Sequence, residues 1–227
     1  MPTPILVAWS GGKDCLLALQ RLRADPAWNV AGLLTTVTRQ FDRVAMHGIR
    51  RDVLHAQARA LQLPLIESEL DWPSSNEAYE TAFADALRRA RGITPGLQHI
   101  AFGDLFLEDV RQWRDALLRR HGWRGVYPLW GARTRELSRE FVANGHRAVL
   151  TCVDTTQLDG SFSGRDYDAA LLDELPEAVD PCGERGEFHT LSHGGPLFTR
   201  DLELQRGESV LREQRFQYSD FLLARGR

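Results

Sequence analysis

The chain opens Ile5-Leu6-Val7-Ala8-Trp9-Ser10-Gly11-Gly12-Lys13-Asp14-Cys15, and that run restricts the folds it can enter. The apolar stretch Ile5 to Trp9 reads as a strand buried on both faces, the kind found in parallel sheets. Ser10-Gly11-Gly12 is a sharp turn in which glycine lets the backbone crowd a ligand. Leu16, Leu19 and Leu22 follow at helical spacing, so a helix begins inside the motif. Its unpaired N–H groups and positive dipole end point back at the loop, which makes an anion cradle. Lys13 adds a full positive charge there.

The cradle is not of the GxxxxGK[ST] type, which argues against a P-loop ATPase, and it lacks GxGxxG, which argues against a dinucleotide site. Ser-Gly-Gly-Lys-Asp after an N-terminal strand resembles instead the PP-loop of the N-type ATP pyrophosphatases. Those enzymes cleave ATP between the α and β phosphates and adenylate a substrate.

A strand–helix alternation continues through most of the 227 residues. Val30–Val37, Pro64–Ile66, His99–Phe102, Gly125–Tyr127 and Ala148–Val153 read as strands. Arg50–Leu61 reads as a helix with Val53, Leu54, Ala58 and Leu61 on one stripe. Ser74 stands three before Glu77 in a capping-box pattern, ahead of a helix carrying Ala78, Ala82, Phe83 and Ala86. Further helices follow around Val110–Leu117 and Leu137–Phe141. Such βα alternation predicts an α/β fold, a five-stranded-type parallel sheet with helices on both faces. The residues of interest collect at the ends of the expected strands, where ligands bind in such sheets. After Asp154 the alternation weakens into Gly-, Pro- and Asp-rich sequence, with strand-like runs at Glu187–Leu191 and Ser209–Tyr218. Residues 1–153 are therefore expected to form the loop-bearing domain, and 154–227 a smaller C-terminal α+β lobe.

A net charge of −3 gives no basic field of the kind that gathers nucleic acid. No apolar run is long enough to span a membrane, and the N-terminus lacks the pattern of a signal peptide, so a cytoplasmic location is expected. The three cysteines, Cys15, Cys152 and Cys182, form no CxxC or zinc spacing. An odd count fits a reducing compartment.

Five ordered signatures point to one family. They are Ser10 to Cys15; Thr35-Thr36 with Met46-His47-Gly48; Gly103 to Asp109 with Arg111; Pro128-Leu129-Trp130; and Cys182 to Thr190 followed by Gly195-Pro196-Leu197-Phe198. Together they resemble the diphthine–ammonia ligase family of PP-loop ATPases, over nearly the whole chain. The resemblance implies an adenine nucleotide α-hydrolase-like fold, ATP with Mg²⁺ as cofactors, and amide formation between a carboxylate and ammonia or an amine. The substrate is then a small molecule or a modified residue; self-association as a homodimer is left open. Two departures matter. His189 replaces an acidic residue of the eukaryotic and archaeal ligases, and the sequence after Gly103 differs from theirs. The chain looks closer to a bacterial branch, and bacteria lack diphthamide. Nucleotide chemistry carries over by resemblance; diphthine as substrate does not.

The residues then take expected roles. Ser10, Gly11, Gly12 and Lys13 hold phosphate oxygens. Asp14 orients Lys13, reaches the polyphosphate through Mg²⁺, or is only a first-turn acid. Cys15 sits where related loops often carry serine, and inert packing is the favoured reading of it. Thr35 and Thr36 face adenine or ribose. Gly103 and Asp104 lie at a strand end, with Asp104 a candidate for Mg²⁺ or ribose. On the substrate side stand His47, Glu108, Arg111, Trp130, Glu184, Glu187, His189 and Thr190. Glu108 is equally a helix N-terminal acid, and Arg111 equally an exposed helix arginine. Glu187 and His189, two apart in an extended run, share a face and can position an amine or move a proton. The rival readings are an RNA sulfur-transferase, disfavoured by the lack of a cysteine pair, and a nucleotide-binding regulator without turnover.

Overall fold

The computed structural model describes residues 1–44 and 46–224. Its strands are β1 (Thr3–Ala8), β2 (Trp28–Thr38), the two-residue β3 (Arg43–Val44), β4 (Leu65–Leu70), β5 (His99–Ala101), β6 (Arg124–Val126), β7 (Arg147–Asp154), β8 (Phe188–Gly194), β9 (Leu204–Arg212) and β10 (Phe216–Leu223). The helices are α1 (Lys13–Ala24), α2 (Arg51–Leu61), α3 (Asn76–Ile93), α4 (Glu108–Arg120), α5 (Thr134–Ala143) and α6 (Ala169–Glu174). None is long and apolar enough to cross a membrane among the described residues.

The chain divides into two compact units. The first comprises Met1–Ser10, Asp14–Arg43 and Leu63–Gly131, and the second Gly11–Lys13, Val44–Gln62 and Ala132–Arg227. In the first, β4, β2, β1, β5 and β6 lie side by side, every pair parallel. These are the five parallel strands expected, and the two-residue β3 beside β2 brings the sheet to six. Its order reverses between β1 and β5, because the chain first winds outward through β2 to β4 and then returns to β5. Residues of opposite facing are equally buried: Leu6 and Ile100 on one side, Ile5, Val7 and Leu33 on the other, all with no exposed surface. A sheet covered on both faces needs such continuous apolar strands. One face carries a core of Leu6, Leu34, Ile66 and Ile100 against Phe83, Ala86 and Leu87 of α3 and Leu117 and Leu118 of α4.

The second unit contains an antiparallel sheet in the order β8-β7-β10-β9. Here the structure departs from the sequence reading. The Ala148–Val153 strand does not continue the parallel alternation; it pairs antiparallel with β8 and β10. The run expected at Ser209–Tyr218 is two strands joined by a tight turn, with Glu213 and Gln214 at φ of 51° and 53°. Neither residue is a glycine, so the turn carried no sequence signal. The N-cap of α3 is Ser75, whose hydroxyl accepts the Ala78 N–H at 3.1 Å, rather than Ser74. Ser74 bonds instead to the Ser75 carbonyl.

Candidate functional site

In the first unit the strand order reverses at the carboxyl ends of β1 and β5. Open α/β sheets bind ligands at such switch points. Trp9 extends β1 by donating its N–H to the Leu34 carbonyl at 2.7 Å. Ser10 follows, half-buried, with its hydroxyl 3.7 Å from the Cys15 sulfur. Cys15 itself is buried. Gly103, after β5, abuts the start of α1 so closely that a Cβ there would lie 2.7 Å from the Asp14 carbonyl carbon and 3.0 Å from the Cys15 nitrogen. Only glycine fits between the β5 end and that helix N-terminus. Asp14 and Asp104 thus come from chain segments that touch.

Thr35 and Thr36 lie within the carboxyl half of β2, with opposite facings. Thr36 interacts with the hydroxyl of Tyr79, while the Thr35 hydroxyl is buried with no hydrogen-bond partner. A buried hydroxyl left unpaired is costly, and marks a place where a ligand atom would be welcome. Asp104 forms an ion pair with Arg114, whose guanidinium lies over the Phe102 ring. Beyond it, Arg111 is stacked at 4.7 Å from the Tyr127 ring centroid and 4.4 Å from that of Trp130. Asp115 is 3.9 Å from the Arg111 guanidinium and accepts the Tyr127 hydroxyl at 3.0 Å. That hydroxyl is accordingly held well above the usual tyrosine range, by burial first and by Asp115 second. The ring pair fixes a planar cation in a set orientation, suited to a carboxylate or phosphate. Glu108 is exposed in the first turn of α4 and accepts from Gln112, as a helix-start acid would.

The second unit holds the middle of the glycine loop. Gly11 has φ of 85°, and a Cβ on it would meet Ile49 at 2.9 Å and Leu54 at 3.1 Å. The Lys13 N–H donates to the Thr190 hydroxyl at 3.1 Å. The Lys13 side chain is only 1 % exposed. Its ammonium donates to the Cys182 carbonyl and sits 5.8 and 5.9 Å from the centroids of Tyr167 and Phe188. The sequence reading put this charge on phosphate. In the structure the partners of the ammonium include a backbone carbonyl and two rings.

His47 and His189 lie side by side, ring centroids 4.5 Å apart. A Cβ on Gly12 would be 3.4 Å from His47 Nε2 and 3.1 Å from the Thr190 carbonyl, so both histidines belong to the surroundings of the loop. Burial, and then the charge of Lys13, push the His189 pKa down to about 4. The imidazole is therefore neutral at neutral pH. Glu187 stands just before β8. It is 1 % exposed, and its two oxygens accept the N–H groups of Asp180 and Arg185, each at 2.9 Å. It clasps the loop before β8. Glu184, on the same loop, is half-buried. Within the second unit the structure thus gathers Gly11, Gly12, Lys13, His47, His189 and Thr190. In the first it gathers Ser10, Asp14, Cys15, Gly103 and Asp104, with Arg111 and Trp130 on a neighbouring shelf.

Residues that the sequence did not single out complete both groups: Tyr79, Arg114 and Tyr127 in the first unit, Gln57 in the second. Gln57 had a signal. It lies on the apolar stripe of α2, four from Val53 and four from Leu61, where a polar side chain must find buried partners.

A parallel sheet that reverses its order, with a glycine turn leading from its first strand into its first helix, defines the class: a doubly wound α/β protein. The diphthamide synthase N-terminal domain model matches residues 3–125, and the diphthamide synthase C-terminal domain model residues 133–220. The chain belongs to the diphthamide synthase family. It is 24 % identical over 185 residues to a diphthine–ammonia ligase of Schizosaccharomyces pombe, a match covering 75 % of this chain and 30 % of that protein. The chain thus spans less than a third of its relative's length. A solved structure from Methanocaldococcus jannaschii, described as a predicted subunit of tRNA methyltransferase, aligns with 85 % of this chain and 98 % of its own, at 17 % identity and a TM-score of 0.41. At that score the likeness adds nothing to the reading of the site.

Proposed function

We propose that the protein is an ATP-dependent amide ligase. A substrate carboxylate oxygen attacks the α-phosphorus of ATP, the bond to the β-phosphate oxygen breaks, and pyrophosphate leaves. The nitrogen of ammonia or an amine then attacks the acyl carbon, the acyl–phosphate bond breaks, and AMP leaves. Membership of the diphthamide synthase family and the relative named a diphthine–ammonia ligase support this reading. The observation that carries it is the glycine loop running from the end of β1 into α1, at the point where the sheet order reverses.

Ser10, Gly11 and Gly12 cradle phosphate oxygens with the hydroxyl and backbone N–H groups, and the α1 dipole favours the negative charge. Thr35, with its unpaired buried hydroxyl, and Thr36 receive the adenosine part. Asp14 and Asp104 are the carboxylates for Mg²⁺. No group of three or more side chains arranged as a metal site occurs among the described residues. A magnesium ion carried in with a polyphosphate needs only one or two protein carboxylates, so this donor set fits it. When bound, the ion would neutralise polyphosphate charge. Arg111, held between Tyr127 and Trp130, is the anchor for a substrate carboxylate. Neutral His189, with His47 beside it, accepts a proton from the attacking nitrogen. Lys13 lies near His189 and, after burial, biases that imidazole toward the uncharged form.

Incubation with ATP, Mg²⁺, an ammonium salt and a panel of carboxylates, diphthine-bearing protein among them, tests the proposal by phosphorus NMR. AMP and pyrophosphate are the expected products. ADP with phosphate, or no turnover with any carboxylate by a protein that binds ATP, would overturn it.

A further inference from the structure

Gln57 has no exposed surface. Its side-chain amide donates to the Gly11 carbonyl at 2.9 Å and to the Ser192 carbonyl at 2.6 Å. The Ser192 N–H donates to the same Gly11 carbonyl at 2.8 Å. One loop carbonyl therefore receives two N–H groups, one from α2 and one from β8. Ile49 and Leu54 close around Gly11 from the side, leaving no room for a Cβ. All these residues lie in the second unit.

Peptide geometry gives this clamp a direction. The Gly11 C=O and the Gly12 N–H belong to one planar trans peptide and point opposite ways. Drawing the carbonyl toward Gln57 and Ser192 turns the Gly12 N–H toward the other side of the loop. The next amide, that of Lys13, is turned to the Thr190 hydroxyl. Gly12 thus carries the N–H that the clamp aims.

We infer that Gln57 is a positioning residue, which presets the Gly11–Gly12 peptide so that the Gly12 N–H faces an incoming phosphate oxygen. The inference rests on the nucleotide reading proposed above and adds to it a residue from α2 that touches no ligand. An oxyanion donor fixed in advance needs no reorganisation when charge arrives. Without Gln57 the Gly11 carbonyl keeps only the Ser192 N–H of this pair, and glycine tolerates both peptide orientations.

Titration calorimetry on the full chain with MgATP, inorganic pyrophosphate and adenosine tests this, alongside thermal melting. Gln57→Met keeps the volume and removes both donors. It should weaken MgATP and pyrophosphate binding about tenfold or more, with adenosine affinity unchanged. Equal loss for adenosine, or unchanged pyrophosphate affinity in a folded variant, would overturn the inference. Gln57→Glu supplies a second readout that also decides the matter if the methionine variant does not fold. Its carboxylate repels the two carbonyls when ionised and regains a donor when protonated. Its MgATP affinity relative to wild type should therefore rise as pH falls from 8 to 6; a flat ratio would count against a positioning role. Wild-type protein that binds neither ATP nor pyrophosphate would instead overturn the nucleotide reading itself.

Discussion

Lys13 is an ammonium held away from water, with a backbone carbonyl for a partner and two aromatic rings for walls. Such a charge is tolerated only while those partners stay in place. Lys13→Met keeps much of the packing but strands the Cys182 carbonyl. It should lower stability by about 1–3 kcal/mol, read as a shift in urea midpoint without change in slope. A midpoint equal to wild type would mean that the ammonium is not used as the structure has it. His189 carries the opposite lesson, a group kept uncharged by the same neighbourhood. Its unfolded imidazole titrates at 6.5 and its folded one at about 4. Between those values the unfolded chain takes up a proton that the folded chain refuses, so stability falls as pH drops through that window. His189→Gln should remove this share, narrowing the gap in stability between pH 7 and pH 5 by about 1–2 kcal/mol. An unchanged gap would show that the imidazole titrates normally. Neither side chain betrays its state locally: the carbonyl that holds Lys13 is 169 residues away.

At the scale of elements, the loop entering β8 shows how an apparent active-site signature can be a structural device. Gly183 has φ of 70°, and a Cβ there would lie 2.6 Å from the Phe188 carbonyl. Cys182 donates its N–H to Asp180 at 2.7 Å, and Glu187 takes two more amides. The Cys-Gly-Glu-Arg-Gly-Glu run therefore folds back on itself and delivers the Cys182 carbonyl to Lys13. Charge-assisted bonds to backbone amides are among the stronger ones. Glu187→Ala should cost about 2–4 kcal/mol and expose the amides of Asp180 and Arg185 to rapid hydrogen exchange. Full protection of both amides, with turnover lost, would return Glu187 to the chemistry. β8 begins at Phe188, so Glu187 stands at its entrance, where its carbonyl still accepts the Asp154 N–H at 2.9 Å.

At the scale of the whole molecule, each unit has its own sheet, and the first is built around a core between the parallel sheet and its helices. In that core Phe83 of α3 is 4 % exposed and clusters with Leu34, Ile66 and Leu87. Phe83→Ala should cost about 3–5 kcal/mol by chemical denaturation; a cost below about 1 kcal/mol would mean that this core repacks freely. The sequence by itself determined the parallel sheet, the glycine loop after β1 and the clustering of polar residues at strand ends. Those features are written in residues a few positions apart: apolar runs, a Gly-Gly turn, helical spacing. Only the tertiary structure decided that the Ala148–Val153 strand belongs to the antiparallel sheet. An apolar run declares burial, while its partner is chosen by segments far along the chain, here β8 and β10. It likewise decided that Lys13 reaches the Cys182 carbonyl and that Gln57 reaches Gly11. Side-chain direction and long-range hydrogen bonds depend on what folding brings within about 3 Å, and local periodicity holds no record of that.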